Sequence, residues 1–201
     1  MRRIGKISGG STYRPMTARF EGASAGAGFS TRSSTRCRPL RTLRAEVGND
    51  ACRFFYVLRK SDQHLDFDLD LAKSQSNDNP VFYVQYAHAR DRSLLALWAG
   101  EPQVLAAVDL DPLGSARELA LAARLGEFPE VVEAAAGELA PHLIAFYLRD
   151  LAAEFHSHYN AERILVADPA IRDARIALAA AVGQVIRNGM AILGVSCPES
   201  M

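Results

Sequence analysis

From residue 79 onward the chain is divided into helix-length segments, each opened by a proline or a capping residue. Four prolines stand at or near the start of such segments: Pro80, Pro129, Pro141 and Pro169. Proline suits the first helical turn because its fixed φ fits the helix and its missing N–H has no partner there. Ser115 and Glu118 have the spacing of a capping box. Residues 79–201 are therefore predicted to form an all-α, antiparallel helical bundle.

Two of these helices have well-marked ends. The first is predicted to begin at Pro80, after a cap at Asn79 or Asp78, and to run to Trp98. The last is predicted to run from about Pro169 to Leu193, with Gly194 as its C-terminal stop. Both segments carry apolar residues at the helical period, so each is expected to bury one face.

Residues 39–78 differ from the predicted bundle in their sequence pattern, and we interpret them as a connection from another domain. Leu40, Leu43 and Val47 recur at helical spacing and Gly48 then interrupts, so two short helices are expected up to Arg59. Positions 64–71 alternate between polar and apolar residues. This alternation is typical of a half-buried extended segment, although its second half can equally begin a helix.

The charge of the chain is divided into two parts. Residues 1–60 carry 13 Lys and Arg against 3 Asp and Glu, and residues 61–201 carry 10 against 20. Residues 1–38 contain a single acid and no apolar period, so they are predicted to be a disordered segment, with an organelle transit peptide as the alternative. The acidic bundle cannot attract phosphates in bulk, so any RNA contact must come from locally placed Arg, Tyr and amide groups.

Cysteine usage and hydropathy constrain the cellular setting. Cys37, Cys52 and Cys197 form no CxxC pair, which suits reduced thiols in a cytosol and gives no zinc site. No uninterrupted apolar run approaches the roughly 20 residues of a membrane helix. A cytoplasmic protein is expected, with neither a membrane nor DNA as a partner.

The first helix of the bundle presents two rings and a guanidinium on one face. At about 100° per residue, Tyr83, Tyr86 and Arg90 lie within roughly 60° of one another. Such a face can stack unpaired bases and hold a phosphate or a base edge. Alternatively, the tyrosines belong to the bundle core and Arg90 is a solvated charge, and spacing alone favours this second interpretation.

The remaining ionisable residues give no catalytic or metal site. His64, Asp66, Asp68 and Asp70 alternate with apolar residues, as the solvated side of an extended segment does. His156 and His158 point to different sides of their helix and are predicted to be surface residues. His88 lies about 140° from Tyr83 and is predicted to be a packed helix histidine. No catalytic residue and no metal ligand is assigned.

Three long blocks of the chain resemble the C-terminal part of bacterial arginyl-tRNA synthetases. They are FFYVLRKSDQHLDFDLDLAKSQSNDNPVFYVQYAHAR, PHLIAFYLRDLAAEFHSHYN and RDARIALAAAVGQVIRNGMAILGVSCPESM. The resemblance covers Leu40 to Met201 and includes the all-helical anticodon-binding domain named for its DALR pattern, which reads Asp173, Ala174, Arg175 here.

The resemblance implies a set of contacts to the anticodon stem-loop of tRNA(Arg). Helix residues Tyr83, Tyr86 and Arg90 match positions that face the loop, and residues 76–79 match a segment that approaches it. The residues implied to bind tRNA are Asn77, Asn79, Tyr83, Tyr86, Arg90, Tyr147 and Met201.

The resemblance also implies what the chain does not do alone. Synthetases of this family are class I enzymes that use ATP and Mg, and nothing here resembles their Rossmann domain or its HIGH-type motif. Residues 30–33 match only the tail of the second ATP motif, and residues 1–38 are interpreted as an out-of-frame or misassembled reading. We therefore expect a truncated, inactive anticodon-binding part that has no cofactor of its own. The alternatives are one half of a split ligase with a separate catalytic chain, and a helical interaction protein that has lost tRNA binding.

Overall fold

The computed structural model describes residues 40–60 and 62–201, and the predictions made for residues 1–38 lie outside them. The described residues form seven α-helices and one 3₁₀ helix, which confirms the all-α prediction. The α-helices are α1 (Leu40–Val57), α2 (Leu69–Lys73), α3 (Pro80–Trp98), α4 (Ala116–Gly126), α5 (Phe128–Gly137), α6 (His142–Ala161) and α7 (Pro169–Leu193). The 3₁₀ helix, Pro102–Ala107, lies between α3 and α4 and was not predicted.

The predicted caps set the helix ends. Asn79 accepts a hydrogen bond from the Val81 amide at the start of α3. Ser115 and Glu118 form both halves of a capping box at the start of α4. Gly194 ends α7 in the left-handed conformation, with φ of 66°, which favours glycine. Local sequence therefore determines where these helices begin and end.

The segment before α3 satisfies both predictions made for it. Gly48 has a non-helical φ of 83° and divides α1 into two helical parts. Leu65 and Phe67 are buried between exposed acids, as expected of an extended segment. Asp68 then accepts a hydrogen bond from the Leu71 amide and caps α2. The alternating pattern is thus extended in its first half and helical in its second.

The core of the bundle lies where α7 packs against α3 and α6. Its largest fully buried apolar side chains on α6 and α7 are Leu148, Leu151, Phe155, Ile176, Ile186 and Met190. Burial of one large apolar side chain stabilises the fold by about 1.5–3 kcal/mol relative to leaving it exposed. This packing holds α3 and α6 side by side. The two tyrosines that are predicted to face RNA, Tyr83 and Tyr86, lie where these helices meet.

Helix α7 is long and apolar enough to cross a membrane by length and composition alone. Half of that stretch is buried against the other helices of the bundle, and a core helix of a soluble protein passes the same test. It is the only such helix in residues 40–60 and 62–201. We therefore interpret α7 as the central helix of the bundle.

Candidate nucleic-acid interface

The three predicted residues of α3 meet an imidazole of α6. The ring of Tyr83 lies 4.6 Å from the ring of His156, centroid to centroid, and the ring of Tyr86 stacks on the same imidazole at 5.5 Å. Both tyrosines are half-buried. Each ring is therefore fixed by packing while part of its surface faces solvent.

The guanidinium of Arg90 is held on four sides. Its Cζ lies 4.7 Å from the centroid of Tyr86 and 4.6 Å from that of Tyr159. Its Nη1 donates hydrogen bonds of 3.2 Å to Nδ1 of His156 and of 3.2 Å to Oδ1 of Asn160. Arg90 is thus neither a freely solvated charge nor a core residue. Tyr83, Tyr86, Arg90, His156, Tyr159 and Asn160 are called the tyrosine–arginine cluster below.

An open groove of about 870 Å³ lies beside Tyr83, between α1, the extended segment, α3 and α6. Its apolar lining includes Phe55, Leu65, Pro80 and Phe146. Its charged lining consists of Arg59, Arg149, Asp66, Asp68, Asp78 and Asp150. Since acids outnumber arginines, this groove does not attract a phosphate chain, and it is better suited to a base or another polar ring.

The two predicted asparagines have different roles. Asn77 lines the groove beside Tyr83. Asn79 is buried, and its side-chain amide donates to the carbonyls of Ala72 at 3.3 Å and Ser74 at 2.7 Å while its oxygen caps α3. The groups of Asn79 are therefore occupied by the protein, and its contribution is to set the direction of the loop that carries Asn77.

Tyr147 lies in the core between α4, α5 and α6. Its ring is buried and packs 5.5 Å from the ring of Phe128, and its hydroxyl donates a 2.8 Å hydrogen bond to the carbonyl of Arg124. Burial, with the nearby Glu127 carboxylate, raises the pKa of this phenol to about 12. The structure gives Tyr147 a packing role, and its contact with tRNA stays a prediction.

The C-terminal segment runs along a different face of α3. Gln85 Nε2 donates to the carbonyl of Ser196 at 3.0 Å, and His88 Nδ1 shares a 2.9 Å hydrogen bond with the carbonyl of Pro198. Met201 is 53% exposed beyond these anchors. The segment before Met201 is therefore anchored on a face of α3 other than the one that carries Tyr83 and Tyr86, and the contact of Met201 with tRNA stays a prediction.

The prediction that His156 and His158 are surface residues is wrong. They are 6% and 1% exposed, and His88 is buried as predicted. His156 packs against α3, while His158 points to the other side of α6, toward Glu162 and the Arg175 guanidinium. The error arose because α6 is covered on several sides, whereas its sequence indicates only one apolar stripe.

The residues that match the DALR pattern hold helices together. Arg175 donates to Glu118 at 2.6 Å and to Glu162 at 2.9 Å, which joins α7 to α4 and to the end of α6. Asp173 accepts a hydrogen bond of 3.3 Å from the indole of Trp98, and Ala174 is fully buried. In this structure the pattern therefore maintains the bundle rather than exposing a reactive group.

The acidic alternation around His64 does not assemble a ligand set. His64 Nε2 lies 3.2 Å from Asp66, and both side chains are well exposed. Within residues 40–60 and 62–201, no group of three or more His, Cys, Asp or Glu is arranged to hold a metal ion.

Solved structures with the same arrangement of helices are arginyl-tRNA synthetases. The putative arginyl-tRNA synthetase of Campylobacter jejuni superposes with a TM-score of 0.74 at 28% identity, over 80% of this chain and 35% of that one. The arginyl-tRNA synthetase of Thermus thermophilus gives 0.68 at 35% identity, over 78% and 27%. The fold is thus that of the helical part of a tRNA synthetase.

The sequence agrees with the fold. The family described as the DALR anticodon binding domain matches residues 84–201, and the chain belongs to this family. Arginine–tRNA ligases of Azoarcus sp. and Dechloromonas aromatica are 72% and 67% identical over 162 and 175 residues, which is 81% and 87% of this chain. The chain spans less than a third of their length, 28% and 30% respectively.

Proposed function

We propose that this chain binds the anticodon stem-loop of tRNA(Arg), as the anticodon-reading part of an arginine–tRNA ligase acting in the cytoplasm. The observation that carries the proposal is the tyrosine–arginine cluster between α3 and α6, whose members other than Tyr83 lie inside the segment that matches the DALR family. The high identity to curated arginine–tRNA ligases supports arginine as the amino acid.

The proposed mode of binding is base stacking. Tyr83 and Tyr86 each offer the unpacked part of a ring, and every base has a face that can stack on it. Arg90 adds a cation at a fixed place, where it can hold a base edge or one phosphate. Asn77 provides an amide at the mouth of the groove beside Tyr83. This mode needs few cations, so it is compatible with an acidic bundle.

Activation of arginine belongs, in this proposal, to protein outside this chain. The matched segment covers less than a third of each of these ligases. ATP and Mg would accordingly bind a catalytic domain, either on a separate chain or on a further part of the same enzyme. Exchange of ATP and pyrophosphate with arginine, measured with this chain alone and after a catalytic half is supplied, distinguishes an inactive anticodon-binding part from half of a split ligase.

The proposal predicts the effect of removing each ring. Tyr86→Ala and Tyr83→Ala should each weaken binding of the arginine tRNA anticodon stem-loop by about 1–3 kcal/mol, the contribution of one base–aromatic stack. Tyr56→Ala is the matched control, because Tyr56 is a half-buried tyrosine on α1 whose ring packs on the ring of Phe67. Fluorescence anisotropy with a labelled stem-loop measures all three. Equal losses in the three variants would sink the assignment of this face.

A further inference from the structure

His156 makes two hydrogen bonds whose direction is fixed by chemistry. Its Nε2 lies 3.2 Å from the carbonyl oxygen of Tyr83, which can only accept. Its Nδ1 lies 3.2 Å from Nη1 of Arg90, which can only donate. The ring must therefore carry its proton on Nε2 and a lone pair on Nδ1. This is the neutral form of histidine in a single tautomer.

The neighbouring histidines do not share this arrangement. Among the residues that the structure describes, Nε2 of His88 and both ring nitrogens of His158 have no hydrogen-bond partner. His156 has a partner on each nitrogen and contacts the rings of Tyr83 and Tyr86. The imidazole therefore links the backbone of α3, two aromatic rings and the guanidinium.

We propose that His156 positions Arg90: as a neutral ring protonated on Nε2, it fixes the guanidinium over Tyr86 and thereby preassembles the RNA-facing cluster. That His156 holds the guanidinium is inferred from the geometry alone. The effect of this positioning on RNA affinity rests on the proposed function. A side chain that is already held loses less conformational freedom when RNA binds, so affinity is gained.

A second proton on His156 would dismantle this arrangement. Nδ1 would then present an N–H to the guanidinium, which removes the hydrogen bond and sets two cations side by side. The other groups in contact with the imidazole are the uncharged rings of Tyr83, Tyr86 and Phe155. The ring of Tyr159 and the amide of Asn160 contact the guanidinium on its other sides. Burial, more than the Arg90 charge, lowers the pKa of His156 below 6.5, which favours the neutral ring at neutral pH.

The first arm of the test uses the free chain without RNA. Long-range ¹H–¹⁵N spectra at pH 7 should show His156 as the neutral Nε2–H tautomer, and the Arg90 guanidinium protons should exchange slowly. In His156→Phe, which keeps a ring but no hydrogen bonds, slow exchange should be lost. In His156→Gln, whose amide can both donate and accept, much of it should return. The Nδ1–H tautomer, or unchanged exchange in His156→Phe, would overturn the proposal.

The second arm measures affinity for the arginine tRNA anticodon stem-loop. His156→Phe should weaken binding about tenfold, equivalent to about 1.4 kcal/mol. It should cost little more in an Arg90→Ala background, because the two residues act together. His158→Phe is the matched control, because His158 is a buried histidine two residues further on α6 that makes no hydrogen bond to Arg90.

The outcomes separate the two proposals. A loss that is the same in the Arg90→Ala background, or that His158→Phe reproduces, would overturn the positioning role. If the wild-type chain binds no stem-loop at all, the proposed function fails, and the tautomer and the guanidinium exchange then decide the role of His156 by themselves.

Discussion

Asp91 is a buried carboxyl group whose loss of hydration is not offset by hydrogen bonds within the described residues. It is 1% exposed on α3, and neither oxygen has a hydrogen-bond partner among the described residues. Nε of Arg92 lies 3.7 Å from Oδ2, beyond hydrogen-bond distance. Burial raises the pKa of Asp91 to about 7, although Arg92 and Arg187 both favour the charged form. The folded chain therefore takes up a proton here that the unfolded chain releases.

This proton uptake makes stability depend on pH. Between the ordinary pKa of 3.8 and about 7, the folded state binds more protons, so the free energy of unfolding falls as pH rises through that window. Asp91→Asn removes the ionisation. We expect the variant to match the wild type near pH 4 and to exceed it at pH 8, by about 4 kcal/mol at most.

Urea denaturation of both proteins across pH 4–8 measures the effect of Asp91→Asn. The diagnostic quantity is the difference between the two free energies of unfolding, because all other titrating groups are common to both proteins. A difference that stays constant with pH would show that Asp91 titrates as an ordinary exposed carboxyl does.

At the scale of single residues, the sequence predicted which residues of α3 share a face but not the residues that they contact. The angular spacing of Tyr83, Tyr86 and Arg90 is a property of α3 alone, so the shared face could be derived from the 3.6-residue period. The contact with His156 depends on how α6 lies against α3, and neither helix records that relation in its own sequence. For the same reason, the burial of Tyr147 and Asn79 became visible only in the structure.

At the scale of elements, helix ends were predicted well because capping is local. Asn79, Ser115 and Gly194 act within four residues of their own position. The 3₁₀ helix Pro102–Ala107 lacks a side-chain cap and has no buried residue. Pro102 at its start is compatible with a loop as well as a helix, and without a side-chain cap or an apolar stripe the segment was not predicted as a helix.

The contact between α3 and α7 depends on a glycine, Gly183, which lies against Asp91 of α3. A Cβ at Gly183 of α7 would lie 2.6 Å from Cγ of Asp91 and would overlap its Oδ2. A Cβ at Gly189 would instead lie 2.7 Å from Cδ2 of Leu148, which is the far end of a flexible side chain. The two glycines thus permit close approach of α7 to α3 and to α6.

We expect Gly183→Ala to destabilise the bundle by about 1–3 kcal/mol, the usual cost of overpacking. Gly189→Ala should cost less, because the nearest atom that its Cβ meets is a terminal methyl group of Leu148. The gain of about 1 kcal/mol in helix propensity is common to both variants. In an Asp91→Ala background the obstructing carboxyl is gone, so Gly183→Ala should become nearly neutral. Thermal and urea unfolding of the single and double variants test this coupling. Additive effects would contradict the proposed contact.

At the scale of the whole molecule, the charge distribution limits how RNA is bound. Residues 61–201 carry twice as many acids as bases. The described cations at the groove and cluster are Arg59, Arg90 and Arg149. Binding through rings and three arginines releases few counterions, whereas a phosphate-tracking surface releases many.

The salt dependence of affinity measures this difference. Even if all three arginines each contacted one phosphate of the loop, the slope of log K against log salt would be no steeper than about −2. Titrations of the stem-loop between low and physiological salt give the slope directly. A slope steeper than about −4 would mean that additional basic residues, such as those in residues 1–60, contact the phosphates.

The resemblance to arginyl-tRNA synthetases predicted the family from sequence, because long blocks occur in the same order. Helix periodicity and capping alone predict the helical bundle, but they do not predict what it binds. A face of two tyrosines and an arginine is equally compatible with core packing, so its physical chemistry does not specify an RNA partner. Which nucleotides the face contacts depends on the shape of the RNA, and this chain's sequence does not contain that information.

The central claim is that this chain reads an anticodon. The most direct measurement is the affinity of the full chain for a tRNA(Arg) transcript and for the same transcript with its anticodon nucleotides replaced. The account predicts that replacement weakens binding at least about tenfold, or about 1.4 kcal/mol, since each lost base contact costs about 1–3 kcal/mol and several nucleotides are replaced. Indistinguishable affinities for the two transcripts would contradict it.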